Sequence, residues 1–469
     1  MLELAIVWLA LLVLCVLLVS RREKSGALLL AYFVGLSLIH VPGAVNFLGD
    51  APGLLMRRET QSGFELTLVG MAALLCGALI ARITRAGGTV RRSHALYADW
   101  QGMGTTLLIF GLGAYFLAMP IAGFVPSLTS LLSPVGSALI VGIWILLYEA
   151  EARRDRRRMV MTLAALPVLP LSTLATGGFL GFGIYWLIAI LAFLFAIRNK
   201  RWLFYAAALP VAYFGLSLAS AYFAQRNAIR DAVWYEQAGY AERLDRIFGM
   251  AKEFKLYDVN DPSQIQSIDA RLNQNNLVGL AIERHEEGAT EFLYGASVPW
   301  WALIPRVIWP DKPAVGGGGD IVSEATGVTF AVGTSVGAGQ ALEFYANFGW
   351  PGVIGGFVLL GYILMRLDRR LAIAFHKRDL HGVLLAGMPG LALLQPGGNL
   401  LEIIVDFVAS IVVARFLCVG LSRYSRHPTT ASYAQLRRID LMRQEAVHAL
   451  SIHPAGLVHF LDPDSAEDV

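Results

Sequence analysis

The chain alternates long apolar runs with short charged segments. Three long stretches contain no Asp, Glu, Lys or Arg: residues 101–148, 159–197 and 202–225. A helix needs roughly 20 apolar residues to cross a hydrocarbon core about 30 Å thick. The first two stretches are therefore each long enough to cross twice, and the third to cross once. This pattern predicts an integral membrane protein built from helices.

The same criterion, applied to the whole sequence, predicts an all-α membrane protein with about eleven transmembrane helices, within a range of about ten to twelve. The predicted spans are 2–20, 27–48, 64–82, 103–120, 132–150, 159–176, 179–197, 202–223, 343–365, 382–397 and 400–420. They divide the chain into an N-terminal bundle of about eight helices, a large loop, about three C-terminal helices and a tail, at 1–223, 224–342, 343–422 and 423–469. No internal repeat of the kind found in many secondary transporters is present in the sequence.

The basic residues are unevenly divided between the two sides that these spans define. One side holds twenty Lys and Arg residues in its short loops, at 21–24, 82–92, 153–158, 198–201 and 366–378. The short loops of the other side hold two, Arg57 and Arg58. Because short loops rich in Lys and Arg stay in the cytoplasm, we expect the N-terminus and residues 224–342 outside and the C-terminus in the cytoplasm.

The predicted outer loop is too long to be a simple connection. Its sequence predicts a charged helix over Tyr235–Tyr257 and a second polar helix over Pro262–Glu287, so we expect it to be mostly helical. The segment 298–310 follows, and its tryptophans suit a membrane interface, where an indole ring can lie half in water. Glycine-rich stretches then lead into the ninth span.

Cationic side chains border this loop, and they are the main candidates for ligand binding. Arginine binds phosphate oxygens with its two-pronged guanidinium, and lysine binds them as a point charge. The candidates for binding an anionic substrate are Arg226, Arg230, Arg271, Arg284, Arg306 and Lys312, with His285 beside them. The alternative for each one is a solvated loop residue or a side chain that reaches back to the interface.

Acids within the apolar spans are the second group of candidates, since a carboxylate at mid-membrane is costly and is often kept for function. Glu343 begins the ninth span and shares a helix face with Asn347. Glu402 and Asp406 share a face of the last span and could instead pair with arginines of the bundle. His40, alone in the second span, is expected to hydrogen-bond between helices.

Composition excludes several classes of protein. Only 16% of the residues are charged, against about 25% in soluble proteins. The three cysteines lie in apolar spans and indicate neither a disulfide framework nor a zinc site. Residues 316–320, GGGGD, lack the lysine of a phosphate-binding loop and are interpreted as a hinge. No metal, nucleotide or nucleic-acid motif is present, so we expect no cofactor and no nucleic-acid partner.

Two segments resemble the O-antigen polymerase family, the Wzy-type oligosaccharide repeat-unit polymerases of bacterial surface polysaccharides. The segments are IPRVIWPDKP at 304–313 and EFYANFGWPG at 343–352. The matching positions are Pro305, Arg306, Trp309, Lys312, Pro313, Glu343, Tyr345, Asn347, Phe348, Gly349 and Gly352. Arg271 in its helix and the basic pair Arg226 and Arg230 also look similar. The span count departs from the family, which often shows about twelve.

The resemblance implies a GT-C-like polymerase in the bacterial inner membrane, with residues 224–342 in the periplasm. The implied substrate is an oligosaccharide linked to undecaprenyl or another polyprenyl diphosphate, and the product is O-antigen, capsule or exopolysaccharide. Because the donor is already activated, the implied glycosyltransferase reaction needs no metal or nucleotide. The implied partners are the lipid bilayer, a chain-length regulator and a flippase.

Roles for individual residues follow from the same resemblance. Arg226, Arg230, Arg271 and Arg306 would bind the diphosphate end of the substrate, with Lys312 assisting. Arg284 and Asn347 are further candidates for substrate binding. Glu343 is the first candidate for the general base, and His285 is the second.

Other functions fit the same sequence. An O-antigen ligase would also carry a large outer loop with arginines and a histidine. Another GT-C transferase using a polyprenyl-linked donor is a further alternative, but most of these carry essential acids in the first outer loop, where Asp50 and Glu59 lie without a supporting motif. A lipid-linked oligosaccharide flippase is the alternative that is not an enzyme. A flippase would be expected to place charges deep within several spans, whereas here the cations collect around one loop.

Overall fold

The computed structural model describes residues 1–20, 25–48, 57–84, 100–118, 133–198, 201–234, 236, 238–252, 254–304, 308–312, 317–330 and 336–424. Of these residues 82% are helical and none lies in a strand. The chain divides into two compact units, Met1–Cys418 and Val419–Val469. The second unit is described only as far as Tyr424. The predicted all-α class is therefore confirmed for the described part of the chain.

The described residues form sixteen α-helices in chain order. The helices before the large loop are α1 Leu2–Ser20, α2 Leu28–Leu48, α3 Arg57–Ile83, α4 Trp100–Gly113, α5 Gly136–Ala152, α6 Arg156–Ala165, α7 Val168–Gly177, α8 Leu180–Ile197 and α9 Trp202–Trp234. The later helices are α10 Tyr240–Lys252, α11 Pro262–Leu272, α12 Asn275–Glu286, α13 Gly318–Thr326, α14 Gln340–Lys377, α15 Leu380–Ala392 and α16 Leu400–Tyr424. Single turns of other helix types occur at Ala114–Ala118, Ser133–Val135 and Trp300–Leu303.

Several of these helices are suited to a membrane. Within the described residues, seven segments are long and apolar enough to cross one: α1, α2, Arg58–Ile83, Arg156–Gly177, Trp202–Val233, α14 and Leu400–Leu421. Two shorter apolar helices are Gly183–Ile197 and Leu380–Ala392. The chain is thus an all-α membrane protein, and the count of eleven spans stays a prediction.

Helices α3 and α14 pack against each other through glycines. A Cβ atom at Gly77 would lie 2.0 Å from the carbonyl oxygen of Val358, and one at Gly361 would lie 1.9 Å from that of Leu74. Small residues at such contacts let two membrane helices approach closely. This pair forms the centre of the bundle, and the start of α14 carries two of the predicted site residues.

An aromatic cluster around Phe375 joins four helices near the end of α14. The ring of Phe375 lies 4.9 Å from Phe193, 5.2 Å from Tyr148 and 6.2 Å from Trp100. Trp144 stacks on Phe193 at 5.2 Å. Aromatic pairs at these separations add to the stabilisation that burial alone provides. The cluster fixes α4, α5 and α8 to α14.

Many of the basic residues predicted for one side meet at one end of the bundle. There Arg82 donates to the carbonyl of Leu18 at 3.2 Å, and Arg201 donates to Ser20 at 3.1 Å. Arg369 donates to the carbonyl of Ala81 at 3.4 Å. Cations at helix C-termini are favourable because the helix dipole is negative there. We call this the arginine end, and the opposite end, which carries residues 224–342, the loop end.

The two predicted loop helices are shorter than expected. The first covers Tyr240–Lys252 instead of Tyr235–Tyr257. The second is divided into α11 and α12 by a corner at Asn273 and Gln274. The polar residues at the corner hydrogen-bond to the bundle, which stops the helix from continuing. Residues 224–342 belong to the same compact unit as the helices on both sides of them.

Candidate functional site

The corner between α11 and α12 inserts into the loop end of the bundle. Asn275 is fully buried, and its amide donates to the carbonyl of His40 at 2.7 Å. The His40 Nδ1 atom lies 2.7 Å from the Asn275 side-chain oxygen and 3.3 Å from the hydroxyl of Thr67. The backbone N–H of Gln274 donates to Ile39 at 3.0 Å. His40 is thus a hydrogen-bonding group, as expected, and it joins the corner to α2 and α3.

The same corner fixes the last turn of α11. The amide of Asn273 donates to Asp269 at 2.7 Å, to Asn276 at 3.1 Å and to Thr60 at 3.2 Å. Partial burial raises the pKa of Asp269. Because Arg271 lies between Asp269 and Asn273 in this turn, its backbone is held over the bundle.

Helix α9 presents three side chains on one face at the loop end. Tyr222 donates its hydroxyl hydrogen to the carbonyl of Gly178 at 3.0 Å and also bonds to Arg226. One turn further, the guanidinium of Arg230 lies 5.3 Å from the centre of the Phe179 ring and is 8% exposed. The buried side chains that hold this face in place are Leu174, Ala175, Leu180, Ile229 and Ile247. Arg230 therefore braces the turn between α7 and α8, while Arg226 is half-buried beside it.

Arg226 and Arg271 lie near enough for their charges to interact, although 44 residues separate them in sequence. Partial burial, and then the positive charge of Arg226, lower the pKa of Arg271. In the described part of the chain neither arginine forms an ion pair with a carboxylate. Two neighbouring cations repel each other, and a bound anion would remove that repulsion. We call Arg226 and Arg271 the arginine pair.

Asn347 lies at a break in α14. Phe348 and Gly349 depart from helical geometry, with φ of −145° and +61°. The carbonyls that this break frees, those of Ala346 and Asn347, accept from Leu293 and Tyr294 at 2.8 and 3.0 Å. The segment 293–297 is thereby attached to α14.

The side chain of Asn347 secures the same segment. Its oxygen accepts from the backbone of Gly295 at 2.8 Å, and its NH₂ group donates to Ser297 at 2.6 Å and to the carbonyl of Glu343 at 2.7 Å. It is 2% exposed. The structure thus places Asn347 in a structural contact, and its role in substrate binding stays a prediction.

Glu343 is fully buried and accepts the backbone N–H of Leu400, the first residue of α16. Its other oxygen, Oε1, has no hydrogen-bond partner among the described residues. A carboxylate at a helix N-terminus is stabilised by the unpaired N–H groups and the dipole. Glu343 therefore caps α16 and keeps one oxygen available, and its role as general base stays a prediction.

Asp368, which the sequence analysis did not single out, does the same at the arginine end. It is 1% exposed and accepts the backbone N–H of Leu28 at 2.9 Å and the hydroxyl of Ser25. In the sequence it stands among Arg366, Arg369 and Arg370, beyond the end of the predicted ninth span, so nothing there signals its burial. The N-terminus that it caps lies 340 residues away in sequence.

His285 and Arg284 lie in the last turn of α12 and contact different parts of the loop. The His285 ring stacks on Phe292 at 3.6 Å and lies 6.3 Å from Tyr345, and its Nδ1 has no partner among the described residues. Arg284 donates weakly to the carbonyl of Ala289 at 3.4 Å and packs against Gly327. His285 thus borders a small cleft above α14, and Arg284 braces the loop after α12.

The segment 298–312 carries the remaining predicted cations. The ammonium of Lys312 donates to the carbonyls of Ala302 and Ile304 at 3.1 and 2.9 Å, which closes the turn at Trp300–Leu303. Arg306 lies outside the described residues. Trp300 and Trp309 are exposed, at 66% and 40%, which fits the expected interfacial position.

The glycine-rich stretches pack on a break in the bundle. Helix α15 ends at Ala392, and residues 393–399 are non-helical and largely buried before α16 begins. A Cβ at Gly318 would lie 2.1 Å from the carbonyl of Val336 and 2.6 Å from Asn399. Non-helical backbone at membrane depth is tolerated only where protein or a cavity surrounds it. The glycines thus permit close approach, and the interpretation of residues 316–320 as a hinge stays untested.

Among the described residues, the expected pairing of the α16 acids with arginines of the bundle is not found. Asp406 accepts from the amide of Gln395 at 3.5 Å. Neither Asp406 nor Glu402 forms an ion pair within the described residues. The reason is that the bundle arginines at this end have other partners: Arg226 bonds to Tyr222, and Arg230 packs on Phe179.

No protein-family model, curated protein or solved structure matches the chain. The resemblance to the oligosaccharide polymerases therefore stays a prediction.

Proposed function

We propose that this protein is a glycosyltransferase that polymerises polyprenyl-diphosphate-linked oligosaccharide repeat units. The observation that carries the proposal is the arginine pair, two cations near enough to repel each other, neither of which pairs with a carboxylate among the described residues. A diphosphate attached to a membrane lipid is an anion that reaches this position. The motif resemblance at 304–313 and 343–352 gives the class of reaction.

The arginine pair would bind the leaving group of the donor. As the bond between the anomeric carbon and the diphosphate oxygen breaks, negative charge grows on that oxygen. A preorganised donor aimed at such a charge contributes about 2.7–4 kcal/mol to catalysis. Arg230 would act indirectly, since it packs on Phe179 and supports the face of α9 that carries Arg226. The predicted binding roles of Arg284, Arg306 and Lys312 are part of the same proposal.

The acceptor sugar would supply the other half of the reaction. Its hydroxyl oxygen attacks the anomeric carbon of the growing chain, the glycosidic bond forms, and polyprenyl diphosphate leaves. The hydroxyl proton passes to a base, and Oε1 of Glu343 is our first candidate because it has no partner among the described residues. The Nδ1 atom of His285 is the second.

The proposal places the loop end in the periplasm and the arginine end in the cytoplasm of a bacterial inner membrane. The excess of Lys and Arg at the arginine end supports this orientation. A chain-length regulator and a flippase would then act beside the protein, and the product would be O-antigen, capsule or exopolysaccharide.

The arginine pair is tested by matched double variants. Arg226→Gln with Arg271→Gln removes the pair, and Lys252→Gln with Lys255→Gln removes two exposed cations from the same segment. In liposomes with a lipid-diphosphate oligosaccharide, we expect elongation to fall roughly 100- to 1,000-fold in the first variant, the loss typical for one such donor. The control should stay near the wild-type rate. Equal rates in the two variants, at equal protein levels, would refute the assignment.

A further inference from the structure

A cleft opens at the arginine end, away from the proposed site, between α4, α5 and α6. Its cavity volume is about 180 Å³. This is below the roughly 300–1,000 Å³ of sites that enclose a whole small molecule, so it suits one end of a larger ligand. Its rim includes Arg153, Arg158 and Gln101, and its apolar wall includes Leu146 and Met161.

A buried carboxylate positions one side of the rim. Glu149 is 2% exposed, and its two oxygens lie 2.8 Å from Arg153 and 2.6 Å from Arg378. Each of these arginine side chains is about half exposed, at 53% and 52%. Both guanidiniums are therefore held in place while part of each faces outward.

Arg158 forms the other side of the rim. It pairs with Asp155 at 3.1 Å and also donates to the side chain of Gln101, and its side chain is 50% exposed. The lining thus holds two arginines, Arg153 and Arg158, and two carboxylates, Glu149 and Asp155. Arg378, which does not line the cleft, pairs with Glu149 and leaves this ion-pair cluster with an excess of one positive charge. Arg156 and Arg157 are exposed close by and add to the positive field.

The wall below the rim leads onto an apolar helix surface. Met161 is 61% exposed, and Val160 beside it is 64% exposed. Both lie in Arg156–Gly177, one of the segments long and apolar enough to cross a membrane. A cation rim above an exposed apolar face matches the two ends of a phospholipid, and basic pockets between membrane helices are known to bind anionic head groups.

We propose that this cleft binds one anionic phospholipid, such as phosphatidylglycerol. Its phosphodiester lies between Arg153 and Arg158, and one acyl chain runs along Met161. The single negative charge of the lipid matches the single excess positive charge of the ion-pair cluster formed by Arg153, Arg158, Arg378, Glu149 and Asp155. The proposal does not depend on the function of the loop end.

Native mass spectrometry of the full-length protein in detergent tests the site, with phosphatidylglycerol and phosphatidylethanolamine of identical acyl chains. We expect one phosphatidylglycerol to be retained in preference to phosphatidylethanolamine. Arg153→Gln with Arg158→Gln should weaken that binding roughly 30-fold, since each cation near an anionic lipid contributes about a factor of five. The control, Arg156→Gln with Arg157→Gln, removes the same charge outside the cleft and should weaken it much less.

Two further measurements keep the result interpretable. Met161→Glu places a charge in the path of the acyl chain at an exposed position, so it should reduce lipid binding without changing the melting temperature. Inorganic phosphate should not displace the lipid. Equal retention of the two lipids, equal losses in the two double variants, or displacement by phosphate would each overturn the proposal.

Discussion

At the scale of single residues, the two buried acids of α14 share one arrangement. Glu343 accepts the first N–H of α16 at the loop end, and Asp368 accepts that of α2 near the arginine end. An unpaired carboxylate in an apolar interior is costly, and a helix N-terminus offers both hydrogen bonds and a positive dipole. Their burial therefore has a structural explanation, which a catalytic role for Glu343 would supplement.

Glu343→Gln separates the two roles of that residue. The glutamine oxygen can still accept from Leu400, so the cap and the melting temperature should be retained. If Glu343 is the base, the initial elongation rate should fall about 100- to 10,000-fold, the usual contribution of such a group. The measurement is the elongation rate in liposomes, with thermal unfolding as the control for folding.

His285→Gln completes that experiment. A wild-type rate in Glu343→Gln, together with a large loss in His285→Gln, would limit Glu343 to its cap and assign the base to His285. Because the His285 ring stacks on Phe292, we expect His285→Gln to lower the stability slightly. The elongation rates of the two variants should therefore be compared at equal amounts of folded protein.

The sequence indicated individual site residues better than their partners. Arg226 and Arg271 are both candidates from the sequence. Their proximity depends on how α11 packs against α9, and 44 residues separate the two arginines in sequence. Lys312 and Asn347 were candidates for the substrate, yet both bond to the protein itself. A polar residue in a loop can bind a substrate or hydrogen-bond to the protein itself. Only the fold shows which groups of the protein it bonds to.

At the scale of elements, the break in α14 is the feature that connects loop and bundle. The sequence predicts a span opening with EFYANFGWPG, and the structure places Phe348 and Gly349 out of helical geometry within one long helix. The freed carbonyls then accept from Leu293 and Tyr294. The motif therefore forms a helix break whose freed carbonyls bind the loop segment 293–297.

Gly349→Ala tests the importance of this break. Gly349 has φ of +61° and ψ of −150°, and a Cβ there would lie 2.8 Å from the Phe292 ring. Such a conformation costs a non-glycine residue about 1–3 kcal/mol. We expect a lower melting temperature and faster hydrogen exchange at 293–297.

Gly355→Ala is the matched control for this prediction. It lies in the same helix, where a Cβ meets nothing within 4 Å, and alanine is favoured over glycine by about 1 kcal/mol in helices. Its melting temperature should be unchanged or higher. An equal drop in melting temperature in the two variants would show that the geometry of the break is no more important for stability than the regular part of α14.

The positions of most elements could be predicted because hydropathy marks them directly. Helices lie at each predicted span, although α15 stops at Ala392 and leaves 393–399 non-helical. The division of Pro262–Glu287 was missed, since the signal for it is a set of asparagines whose partners, such as His40 and Thr60, lie in distant helices. Polar partners across the fold leave no periodic pattern in the local sequence.

At the scale of the whole molecule, the large loop belongs to the bundle. Its corner at 273–276 bonds to α2 and α3, its segment 293–297 bonds to α14, and its glycines pack on the break at 393–399. These three attachments lie at the same end as the arginine pair, while the short loops rich in Lys and Arg lie at the other. The molecule is therefore strongly polarised along the direction in which its helices run.

That polarity predicts the orientation in the membrane. In a variant with Cys15, Cys76 and Cys418 replaced by alanine, we expect Glu287→Cys to react with a membrane-impermeant thiol reagent in intact spheroplasts. Arg157→Cys should react only after permeabilisation, because the arginine end should face the cytoplasm. The reverse labelling pattern would contradict the orientation and place the proposed site on the wrong side for its substrate.

The central claim is that the arginine pair serves chain elongation on a lipid diphosphate. The most direct measurement is the product formed by the purified wild-type protein from a single polyprenyl-diphosphate oligosaccharide in liposomes, followed by gel electrophoresis over time. We predict a ladder of products, each longer by one repeat unit, with release of polyprenyl diphosphate. A lipid that changes leaflet without growing, or a glycan transferred once to a different acceptor without a ladder, would contradict the claim.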